Sequence, residues 1–130
     1  MMVYVAARFS KRERVRGVYD LLLAAGHKIS CDWTIHERTI NGDGASGGTQ
    51  RAVDQAGEDL DGVGACTAFI LLAEPAMRGA LVELGAALAL HKLVYVVDAA
   101  YDNIFYYHPG IIHCDSVEEA IAMLSQGRER

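Results

Sequence analysis

Proline is nearly absent from this chain: Pro75 and Pro109 are the only two in 130 residues, so no proline-rich linker divides it. Cysteine is scarce and odd in number, with Cys31, Cys66 and Cys114 far apart. That argues against a disulfide framework and fits reduced, buried thiols in or beside strands. No spacing of Cys and His suits a metal ion. Positive charge is in deficit, 12 Lys and Arg against 17 Asp and Glu for a formal net charge of -5. A nucleic-acid polymer is therefore a disfavoured partner, although Lys11, Arg12, Arg14 and Arg16 form a local basic cluster that would suit one phosphate. The longest apolar run, near 62–73, falls short of the about 20 residues that span a bilayer. MMVYVAARF reads as a strand and not as a secretory leader, so a cytoplasmic protein without a membrane partner is expected. Tryptophan occurs once, at Trp33.

What is present describes a compact fold. The chain is 52% hydrophobic and 22% charged, which suits one globular domain over 1–130 with a single core. MVYVAA (2–7) reads as a buried strand. Val15, Val18, Leu22 and Leu23 then recur at helical spacing, with Ser10 and Glu13 matching a capping box and Gly26 a terminator. HKISCDW (27–33) reads as a second strand. The glycine-rich NGDGASGG that follows reads as a mobile loop, and a second helix is expected over about 49–62. ACTAFILLA (65–73) and LVYVVD (93–98) are apolar throughout, the pattern of strands covered on both faces, and they flank an apolar helix over 79–91. IIHC precedes a last helix over 115–125, capped by Asp115 or Ser116. Strands alternating with helices predict a doubly wound, flavodoxin/Rossmann-like α/β domain: five parallel strands with helices on both faces. Ligands of such sheets bind beyond the carboxyl ends of the strands, near the switch in strand order.

That rule directs attention to Glu83, an isolated carboxylate in RGALVELGAALALHKLVYVV. Charged side chains are seldom buried without a partner or a task. Placed in the first turn of its helix, Glu83 would complement the positive end of the helix dipole, an effect of roughly 0.3–1 kcal/mol. The same position projects it over the crevice, where the dipole would keep it ionised and nucleophilic. EDLDGV adds Glu58, Asp59 and Asp61 just before the third strand. A solvated helix end accounts for two of them, while one facing Glu83 would complete a pair for glycosidic chemistry. In such a pair one carboxylate attacks the anomeric carbon and the other manages the leaving-group proton, at about 5–5.5 Å separation when configuration is retained. Tyr4 suits either the core or the border of the crevice. Trp33 suits either packing or a flat surface for a nucleobase. The signatures GxxxxGKS, GxGxxG after a strand and GxSxG are missing, and no cofactor is expected.

MVYVAARFS, EDLDGVGACTAFILLAE and RGALVELGAALALHKLVYVV together resemble the nucleoside 2-deoxyribosyltransferase-like family, whose members include N-glycosidases acting on nucleoside 5′-monophosphates. The resemblance covers 2 to about 98, and YDNIFYYHPGIIHCDSVEEAI is similar to the closing part of the family's short members. DL-x-G before a strand combined with G-x-x-x-E-x-G after it is the specific element. The resemblance implies Glu83 as the nucleophile toward C1′ of the sugar, Asp59 as the residue assisting protonation of the departing base, and Tyr4 beside both sugar and nucleophile. It also implies that Ala7, Arg8 and Phe9 border sugar and base, and that Gly79 opens the second motif. Asn103 would come from a neighbouring subunit to the sugar's 5′ end, which makes a homodimer or higher oligomer an expectation. Arg8, Ser10 and Arg78 favour a 5′-phosphate if they converge, and are surface residues if they do not. Cys66 and Thr67 stand where many members carry aspartate, and the glycine-rich loop prevents transfer of the base-recognising surface. The expected ligands are a nucleoside or its 5′-monophosphate, with a free nucleobase as a further acceptor. Two other functions remain open on sequence: a TIR-like NAD-cleaving hydrolase, and a non-catalytic nucleotide-binding module.

Overall fold

The computed structural model describes residues 1–36 and 48–127. Five parallel strands form one sheet: β1 (Met2–Ala6), β2 (Lys28–Ile29), β3 (Ala68–Leu72), β4 (Leu93–Val97) and β5 (Ile111–Cys114). Their order is β2-β1-β3-β4-β5, the doubly wound α/β arrangement. Helices α1 (Arg12–Ala24), α2 (Gly48–Ala65), α3 (Gly79–Ala89) and α4 (Val117–Ser125) connect them. β3 is buried at every residue, as its unbroken apolar run demands of a strand covered on both faces. β1 lies beside it with Tyr4 opposite Phe69. Because β1 pairs with β2 on one side and β3 on the other, the order switches at β1, and a crevice opens above its carboxyl end.

Three local expectations change. Ser10 does not cap α1: the chain first makes a 3-10 turn over Phe9–Lys11, Lys11 takes the N-cap position without a side-chain bond, and Glu13 pairs with Arg16 at 2.7 Å. The second strand is only two residues long. Asp32 accepts from the backbone of Thr34 and turns the chain into a 3-10 helix at Trp33–Ile35, which takes Trp33 out of the edge strand. α2 extends to Ala65, beyond the expected end. Ser116 does cap α4, accepting from the Glu119 N–H at 3.0 Å. Most of the glycine-rich segment, 41–47, lies outside the described residues. Among the described residues no helix is long and apolar enough to cross a membrane.

Candidate active site

Three elements converge on one pair of side chains. β1 carries Tyr4, fully buried, with its ring stacked on Phe69 at 5.7 Å and 1° between planes. Its hydroxyl donates to Oε2 of Glu83 on α3. Among the described residues Oε1 of Glu83 takes no hydrogen bond. Gly62 of α2 makes this packing possible: a Cβ there would lie 2.5 Å from Cβ of Cys31 and 3.1 Å from the Tyr4 ring. α2 therefore sits close against β1 and carries Asp59, one turn earlier, to the edge of the same crevice.

Burial dominates the electrostatics. It pushes the Glu83 carboxyl from 4.5 up to about 7; the Tyr4 hydrogen bond pulls it back, and the charge of Asp59 raises it further. The helix-dipole account of Glu83 does not hold, because α3 begins at Gly79 and has no acidic residue in its first turn, and the dipole's influence fades beyond that turn. Burial, then the charge of Glu83, drive the Tyr4 phenol far above its ordinary value, so Tyr4 stays a donor. Burial also raises Asp59, opposed by His36 and by the Cys31 thiol. Cys31 approaches Asp59 Oδ1 at 3.7 Å. His36 spans two carboxylates, with Nε2 3.1 Å from Glu58 Oε2 and Nδ1 3.8 Å from Asp59 Oδ1.

The crevice is a cavity of about 870 Å³, within the usual range for small-molecule sites. Ala7, Arg8, Phe9, Ser10, Trp33, Asp59, Arg78, Gly79 and Glu83 all line it. Trp33 is both packed and lining: its indole N–H donates to the Val5 carbonyl at 2.6 Å, and Phe9 leans on it at 6.2 Å with the Arg12 guanidinium 5.1 Å from the Phe9 ring centre. The two arginines differ. Arg8 is engaged by Glu74 at 3.0 Å and by the Pro75 carbonyl, whereas Arg78 is exposed and has no ion pair among the described residues. The loop between β3 and α3 is braced from the far side by Asp102, which accepts from the Ala76 N–H at 2.7 Å.

Asn103 is not among the lining residues of this chain; it accepts from the Phe105 N–H at 2.9 Å and starts a 3-10 turn over Ile104–Tyr107. Sequence reasoning does not single out Ala52, Gln55, Ala56 and Leu60 of α2 or Ala76, Met77, Ala80 and Val82 at and before the start of α3, which complete the cavity wall. Nothing in their chemistry announces them. It also passed over His36, whose signal would have been a histidine shortly after the second strand. Among the described residues no group of three or more His, Cys, Asp and Glu is disposed to hold a metal ion.

Fold and site together define an α/β domain with a two-carboxylate crevice at the switch point of its sheet. A solved structure of a Clostridium botulinum CMP N-glycosidase, BcmB, has a similar fold, with a TM-score of 0.58 over 97% of this chain and 99% of that one at 17% identity. No family model and no curated protein matches the chain in sequence.

Proposed function

We propose that this protein breaks the N-glycosidic bond of a nucleoside 5′-monophosphate through a covalent intermediate on Glu83. The observation that carries the reading is the Tyr4 hydrogen bond to Oε2 of Glu83 in a cavity whose second carboxylate is Asp59. With Oε2 held, Oε1 is the oxygen available to attack C1′. The bond from Glu83 to C1′ forms as the C1′–N bond breaks, and the electron pair of that bond goes to the base, which takes a proton from Asp59. Water then releases the sugar phosphate, or a free base takes it up; hydrolase and transferase differ only in that acceptor. The likeness of fold to a CMP N-glycosidase supports the reaction class.

Arg78 supports a 5′-phosphate. It stands as the N-cap residue of α3 without a competing carboxylate, where a guanidinium, the first backbone N–H groups and the helix dipole favour the same anion. Phe9 and Trp33 offer aromatic faces for the base. Chromatography of released or exchanged base tests the reading, using a panel of nucleosides and their 5′-monophosphates in deoxyribo and ribo forms, with and without an added base. Base release from monophosphates is expected, and its loss in Glu83→Ala. Nucleotide binding without release over hours in the wild type would overturn the catalytic reading.

A further inference from the structure

Asp59 is held from one side only, and by two residues that lie outside the cavity lining. The Cys31 thiol and the His36 imidazole both approach the same oxygen, Oδ1, at 3.7 and 3.8 Å. Oδ2 has no hydrogen bond among the described residues. Each holder is itself fixed. Cβ of Cys31 rests against the bare backbone of Gly62, and the far nitrogen of His36 is 3.1 Å from Glu58. A carboxylate rotates freely about its last bond unless one oxygen is engaged, and a general acid works only when the proton-bearing oxygen meets the leaving atom.

We infer that Cys31 and His36 are positioning residues that clamp Asp59 by Oδ1 and so present Oδ2, with its proton, to the leaving base. This rests on the glycosidase reading, in which Asp59 is the proton donor. The other groups around Asp59 do not duplicate the clamp. Glu58 of its own helix acts on it only through charge, and Glu83 of α3, Tyr4 of β1 and Tyr19 of α1 feel the charge of Asp59 without hydrogen-bonding to it. The thiol is suited to this duty because burial and the neighbouring carboxylates push its pKa up to about 12. It therefore stays a neutral donor across the working pH range.

The test uses Cys31→Ala, which keeps the Cβ packed on Gly62, and His36→Ala, each in the full chain. Turnover of a natural nucleotide is compared with that of a sugar phosphate carrying a leaving group that departs without protonation. About a tenfold loss on the natural nucleotide and at most about twofold on the activated one is expected for either variant. In parallel, the Asp59 carboxyl is titrated by carbon NMR with no substrate present, and its midpoint is expected to rise in both variants as a stabilising partner is removed. Equal losses on both substrates, or an unmoved Asp59 titration in Cys31→Ala, would overturn the clamp. If the wild type releases no base from any nucleotide, the glycosidase reading fails, while the carboxyl titration still decides whether Asp59 is held.

Discussion

The reactive pair is set by what surrounds each atom. Glu83→Ala is expected to lower base release by at least about a thousandfold with the fold retained, checked by kinetics beside circular dichroism. Tyr4→Phe keeps the ring on Phe69 and removes only the bond to Oε2. Because that bond holds the Glu83 pKa down, at about 7, against the rise that burial imposes, its loss shifts the ascending limb of the pH–rate profile upward, by about one unit. A pH series of initial rates checks it. Stability carries the same signature. The folded-state pKa of Glu83 is raised from 4.5 to about 7, so the folded state holds the extra proton between those values. Stability is then lost as pH rises through that window, and the full penalty stands above about 7. Glu83→Gln is expected to gain about 1–3 kcal/mol at pH 8 and almost nothing near pH 4, measured by denaturant unfolding at both. The isolation of Glu83 among apolar residues was legible in the sequence. Its elevated pKa was not, since a dipole argued one way and burial, which needs coordinates, argues the other.

At the scale of elements, the site is two helices brought against one strand. The closest point is Gly62, where an added Cβ would overlap Cβ of Cys31 and touch the Tyr4 ring. Gly62→Ala is expected to destabilise by about 1–3 kcal/mol and to reduce turnover beyond what the stability loss explains, because α2 must step away from β1 and carry Asp59 with it. Thermal melts and kcat on one preparation check both. Strand and helix identities were legible wherever a single period ran long enough: the unbroken apolar run of β3 and the all-apolar α3 are examples. They failed where a short polar contact decides. Asp32 bends the chain out of the sheet after Ile29, and the 3-10 turn at Phe9–Lys11 displaces the cap from Ser10. The alanines that line α2 at the cavity were legible only as helix, because a wall needs shape and no particular chemistry.

For the whole molecule, the switch point at β1 explains why residues distant in sequence meet. Tyr4, Asp59 and Glu83 come to it from β1, α2 and α3, and while alternation of strands and helices made the doubly wound class legible, the order β2-β1-β3-β4-β5 is read from the structure. The loop after β4 points elsewhere. Ile104 is 77% and Tyr107 68% exposed, and Asn103 sits apart from the cavity of its own chain. Self-association through this loop would hide those side chains. A dimer is therefore expected in sedimentation equilibrium, and Ile104→Glu is expected to return it to monomer.

Trp33 has one more consequence. It is the only tryptophan of the chain, it lines the cavity, and its indole is anchored to the strand that bears Tyr4. All of the protein's tryptophan emission therefore originates at the wall of the proposed site. Titrating unlabelled nucleotide while following that emission measures occupancy directly, with no second indole elsewhere to dilute the signal.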